Sequence, residues 1–182
     1  MQILKLHEGN EFPFDWVNLK PYTNSLGYRK EIYLIDSEDY TADLTILFLN
    51  LFRDINDDIK VYDAAWWDLC LDTWNINDDV YDYSTNGKSE ETAAYLNLLS
   101  QSSIPKDYTG SCTCSNWEVY LPVLIRCIIN HNAPYSPLFY NSNSNFFFYF
   151  HHTGSIGLYF KEMNKAMVEI LNKAEKNYEV VS

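Results

Sequence analysis

Residues 146–160 read Phe-Phe-Phe-Tyr-Phe-His-His-Thr-Gly-Ser-Ile-Gly-Leu-Tyr-Phe. A run this dense in aromatics, broken by Thr153-Gly154, predicts a hairpin with strands from Phe146 to His151 and from Ser155 to Phe160. Beyond it, Met163, Ala166, Met167, Ile170, Leu171 and Ala174 recur at helical spacing. They predict a terminal helix over 161–176, with Glu169 and Lys173 as an i,i+4 pair on its wet face.

Upstream, the alternation over 1–7 predicts a strand, and Tyr28 to Ile35 a second one. The segment between, 8–27, holds Pro13, Pro21, Asn24 and Gly27 and reads as loop. Ser37 is the expected cap of a helix over 38–55, in which Tyr40, Leu44, Leu47, Phe48, Leu51, Phe52 and Ile55 share a face. A helix is also expected around 63–74. Ser89 caps another over about 90–100, and Asn116 or Ser115 one over about 117–130. Segments 84–88, 101–115 and 141–145 read as turns or loops. Helices interspersed with strands imply an α+β fold: a single domain over 1–182, with several helices and a small antiparallel sheet. That sheet includes the C-terminal hairpin, followed by the terminal helix.

A chain of 182 residues suits one domain. Hydrophobic residues make up 47% and aromatics 16%, enough apolar surface for a packed core rather than disorder. No apolar stretch reaches the ~20 residues of a membrane helix, and the N-terminus lacks the layout of a signal peptide. A cytoplasmic location is expected, with Cys70, Cys112, Cys114 and Cys127 reduced.

The net charge is −12, and its distribution is uneven. Residues 36–91 carry fifteen acids against three bases, while the rest of the chain carries ten of each. The whole excess therefore comes from under a third of the sequence. The same segment is rich in Tyr, Phe and Trp. Carboxylates beside aromatics make a protein-binding face, in which rings supply desolvated contact and charge speeds association with a basic partner. The candidate partner-binding residues are Asp54, Asp57, Asp58, Asp63, Trp66, Trp67, Asp68, Asp72, Trp74, Asp78, Asp79 and Asp82. The charge sign argues against nucleic acid or an anionic membrane as a direct ligand.

Motifs for chemistry fall short. Asp54, Asn56 and Asp58 begin like a calcium loop, but Ile59 stands where its glycine belongs and Ala65 where its glutamate belongs. Cys112, Cys114, Cys127 and His131 are zinc-ligand types without the usual spacing. His151 and His152, as neighbours on a strand, are expected to point to opposite faces. No nucleophile elbow or phosphate-binding loop is present, so no catalytic residue, metal or cofactor is expected.

The block Trp117-Glu118-Val119-Tyr120-Leu121-Pro122-Val123-Leu124-Ile125-Arg126-Cys127-Ile128, followed by Phe146 to Phe160 with its His151-His152-Thr153-Gly154-Ser155-Ile156-Gly157, resembles a bacterial toxin-immunity protein. The class is the one that protects cells from contact-dependent growth-inhibition toxins. The resemblance covers the C-terminal third and rests mostly on character: small, acidic, aromatic-rich and without a catalytic motif. It implies a non-enzymatic cytosolic protein that binds a cognate toxin domain, often a nuclease, whose basic active site an acidic face would cover. Such families have diverse folds, and no binding residue transfers by motif. Two alternatives share the acidic composition: a nucleic-acid mimic acting against restriction enzymes or nucleases, and a small enzyme using paired carboxylates with His151 or His152.

Overall fold

Among the described residues, eight strands pair into one antiparallel sheet around the aromatic hairpin. The computed structural model describes residues 2–182. In chain order the elements are β1 (Leu4–Leu6), β2 (Tyr28–Tyr33), α1 (Tyr40–Phe52), β3 (Lys60–Asp63), β4 (Trp74–Asn75), β5 (Val80–Tyr81), α2 (Glu90–Gln101), β6 (Gly110–Cys114), α3 (Trp117–Ile129), β7 (Leu138–Asn141), β8 (Phe146–His151), β9 (Ser155–Phe160), α4 (Lys165–Asn177) and β10 (Glu179–Val181). The large sheet has the order β1-β6-β3-β7-β8-β9-β2-β10, and β4 pairs with β5 in a separate two-stranded ribbon. The α+β class holds. No helix among the described residues is long and apolar enough to cross a membrane.

Strand β8 is aromatic at every position because both of its faces are covered. Side chains alternate across a strand, so Phe146, Phe148 and Phe150 face one way and Phe147 and Tyr149 the other. The first set joins the core with Phe48 and Phe52 of α1 and Trp117 of α3; Phe52 stacks on Phe148 at 4.4 Å. The second set meets Phe12, Phe14, Trp16 and Tyr22, so the 8–27 segment is a loop that acts as a lid. Each fully buried ring contributes roughly 1.5–3 kcal/mol relative to exposure. Trp16 is fixed in that lid by its indole N–H, which donates to Asn145 Oδ1 at 2.8 Å.

Capping explains where the helices begin. Asn116, Ser89 and Asn164 each accept a first-turn backbone N–H of α3, α2 and α4. The cap of α1 is Asp39 rather than Ser37, whose hydroxyl instead donates to Asp43 at 2.7 Å. In α4, Met163 precedes the cap and is exposed. Glu169 lies 3.9 Å from Lys165, whereas Lys173 reaches across to Asp54 at 2.7 Å.

Three expectations are corrected. Residues 63–74 form no α-helix: Asp63 ends β3 and its Oδ1 accepts from Ala65 N at 2.8 Å, an Asx-type turn that competes with a helical start. Two short 3₁₀ turns follow, Trp66–Asp68 and Leu71–Thr73. The segment 101–115, expected to be loop, contains β6, which pairs with both β1 and β3. The sheet is also not small, because β7 and β10 add strands at positions that read as loop or helix end, and β10 follows the last helix.

Candidate interaction face

Strand directions sort the acidic segment in space. β3 runs antiparallel to β7 and β7 antiparallel to β8, so β3 and β8 point the same way and Asp63 and His151 finish at the same end of the sheet. α1 begins there, since the Tyr40 ring lies over Gly154 in the β8–β9 turn. α2 begins there too: Glu91 in its first turn accepts from Asn130 Nδ2 at 2.6 Å, just past the end of α3. Leu71 N donates to Asn132 O at 2.7 Å and ties the 71–83 segment to the same place. Asp36, Glu38, Asp39, Asp43, Asp63, Asp68, Asp72, Asp78, Asp79, Asp82, Glu90 and Glu91 thus gather at one end of the molecule. Asp54, Asp57 and Asp58 follow the other end of α1. Its 13 residues span about 20 Å at 1.5 Å per residue.

The candidate residues separate by environment. Trp66 and Trp67 are 0% and 6% exposed, and their indoles donate to Gly110 O and Ile104 O. They are core, not contact anchors, because the turns after β3 fold back under α2 and β6. Asp63 is 3% exposed and is no surface charge either. Asp68 accepts from the Tyr83 hydroxyl, and Asp72 from Ser89 N (3.0 Å) and Thr92 Oγ1 (2.6 Å), which braces the start of α2. Asp82 accepts from Ser84 N and Oγ and lies 3.5 Å from Lys88. The Ser84 bonds and that ammonium hold its pKa below the ordinary value. Asp54 is held low by the Lys173 ammonium, while Asp57 and Asp58 are exposed beside it in sequence.

Asp78, Asp79 and Trp74 are exposed on the β4–β5 ribbon. Asp78 accepts from Asn75 Nδ2 at 2.8 Å, and Asp79 sits at φ 55 in the turn. Around them the ribbon exposes Leu71, Trp74, Ile76 (82%), Val80 and Tyr81. The ribbon is held by rings: Trp74 packs edge-on to Tyr81 at 4.8 Å, Tyr81 stacks on Tyr83, and Tyr83 meets Trp67 at 5.4 Å. An apolar surface on an acidic arm is what a protein contact needs. Leu71, Ile76 and Val80 escaped a reading built on charges and aromatic rings. The signal for Ile76 was a large aliphatic residue inside an Asn/Asp turn sequence, where nothing calls for one.

Two cavities lie at this end of the sheet, one at Asp63 and one at His151. One, of about 240 Å³, is lined by Leu19, Tyr22, Tyr62, Asp63, Tyr135 and Leu138 among others. The other, of about 270 Å³, shares Tyr22, Tyr135 and Ser136 with it and reaches His151 and His152. The two histidines do not diverge as expected. His152 has left the strand for the turn, and the two ring centroids lie 4.3 Å apart, with His131 a further 4.9 Å from His152. His151 Nδ1 pairs with Thr153 Oγ1 at 2.7 Å, and burial followed by the charge of His152 lowers its pKa. Asp63 Oδ2 is buried and has no hydrogen-bond partner among the described residues. Burial raises the Asp63 pKa to about 6, with the Ala65 and Ala64 N–H groups opposing the shift and the Asp68 charge adding to it. Compared with protein-family models, curated proteins and solved structures, the chain matches none.

Proposed function

We propose that this chain is an immunity-type protein that neutralises a basic toxin domain by binding it at the acidic end of the sheet. The carrying observation is the β4–β5 ribbon, where Trp74, Ile76, Val80 and Tyr81 are exposed beside Asp78 and Asp79. The rings and aliphatic side chains supply contact area. The surrounding carboxylates give the potential that draws in a cationic surface and disfavours nucleic acid. Asp54, Asp57 and Asp58 fall outside this contact, and Trp66 and Trp67 support it from below.

The test is co-expression with the variable C-terminal domain of the large secreted protein expected upstream of its gene. The chain should co-purify with that domain and protect cells from it. Asp78→Lys with Asp79→Lys should weaken binding at least tenfold, while Asp57→Lys with Asp58→Lys should leave it unchanged. Equal loss from both pairs would reduce the effect to net charge. Inhibition of several unrelated DNA-binding enzymes would favour a nucleic-acid mimic instead.

A further inference from the structure

Asp63 ends β3 at the floor of an aromatic cavity. Its Oδ1 is occupied by Ala65 N and the Ala64 N–H also favours its charged form, but Oδ2 has no hydrogen-bond partner among the described residues although the residue is 3% exposed. Leaving a buried acceptor unmade costs about 1–3 kcal/mol, and more for a charged one. The charge that bears on it most is that of Asp68, which is also negative. The walls are the rings of Tyr22, Tyr62 and Tyr135 with the apolar Leu138. Burial and, next, the charge of Asp63 push up the pKa of all three phenols, which places the three rings within its electrostatic reach. Tyr135, at the mouth, is half-exposed.

We propose that this cavity receives the cationic end of a partner's arginine or lysine side chain, with Asp63 Oδ2 accepting its N–H and the three tyrosines enclosing its stem. Ring faces attract a cation, and an acceptor with no donor of its own completes the match. An anion would meet Asp63, and a neutral guest would leave its charge uncompensated. The proposal deepens the reading of this end as the face for a basic protein, and rests on it for the identity of the guest.

The experiment uses the isolated full chain and three probes that share a four-carbon stem: agmatine, which carries an ammonium as well as a guanidinium, 1-aminobutane and N-butylurea. Side-chain NMR should show agmatine and 1-aminobutane shifting the Tyr22, Tyr62 and Tyr135 resonances saturably, with N-butylurea at least tenfold weaker. Asp63→Asn retains the acceptor for Ala65 N and should bring agmatine down to the level of N-butylurea. Tyr135→Ala, at a half-exposed position that leaves the core alone, should weaken agmatine several-fold. Equal binding of charged and neutral probes, undiminished binding to Asp63→Asn, or no saturable shift overturns the proposal. Agmatine binding in a chain that no basic toxin domain recognises would keep a cation pocket and remove the protein guest. Toxin binding lost in the Asp78/Asp79 reversal but untouched by Asp63→Asn would keep the interaction face and remove the pocket from it.

Discussion

Asp63 ties a stability effect to the same carboxyl. Its folded pKa of about 6 stands above the ordinary 3.8 because burial penalises the charged form. The folded state therefore holds the proton more tightly than the unfolded chain. The stability this contributes is complete below about pH 4 and is lost as pH rises through 6. Two units correspond to about 3 kcal/mol at most. Asp63→Asn cannot ionise, so its stability relative to the native chain should rise by about 2 kcal/mol between pH 4.5 and 7.5 in urea denaturation. A difference that stays flat with pH would mean that the buried carboxyl titrates like an exposed one. Gly157 offers a second check at this scale. A Cβ there would lie 2.6 Å from the Tyr149 ring, which is itself packed against Tyr22 and Tyr159. Gly157→Ala should cost about 1–3 kcal/mol by overpacking. The cost should shrink on a Tyr149→Leu background, where the ring no longer needs the space; a double-mutant cycle with no coupling would place the strain elsewhere.

Among the elements, the β4–β5 ribbon is the one whose loss the core should scarcely feel. Trp74 and Ile76 are 40% and 82% exposed, and surface truncations away from caps and cores usually change stability by less than about 0.5 kcal/mol. Trp74→Ala and Ile76→Ala should therefore leave thermal unfolding close to the native chain while each lowers partner affinity at least fivefold. A large drop in melting temperature would show the ribbon to be structural instead. The elements also divide by how readily sequence reveals them. α2 and α3 were legible because Ser89 and Asn116 cap segments with apolar residues at helical spacing, and caps act locally; α4 was legible from its apolar spacing alone, although it begins at Lys165, after an Asn164 cap, rather than at 161. The hairpin was legible from its aromatics and its Thr153-Gly154 turn. β6 was not, since Gly-Ser-Cys-Thr-Cys has little strand preference alone and is held by pairing with β1 and β3 on both sides. β7 hid behind Pro137, and the 63–74 region behind apolar residues whose period fits a helix while Asp63 turns the chain. The charged segment was visible as composition. The burial of Trp66 and Trp67 depends on α2 and β6, far away in sequence, and no local pattern carries it.

At the scale of the whole molecule, charge that is contiguous in sequence is split by the length of α1. Asp54, Asp57 and Asp58 lie at one end, and the ribbon, the start of α1 and the start of α2 at the other. The two groups contribute equally to net charge per residue but differ in where their field acts. A partner that docks at the ribbon lies near a Debye length of about 8 Å from the second group at physiological ionic strength, but beyond it from the first. Association should be fast at low salt and fall steeply as salt rises, because steering acts mainly on the on-rate. Measured by stopped flow from 20 to 500 mM salt, the Asp78→Lys/Asp79→Lys protein should lose most of that slope and most of the on-rate. The Asp57→Lys/Asp58→Lys protein changes net charge by the same amount, so it should keep the native slope once salt exceeds about 100 mM, where the Debye length is about 10 Å. If the two reversals flatten the slope alike at that ionic strength, the partner senses the overall charge of the chain, and the ribbon has no special place in recognition.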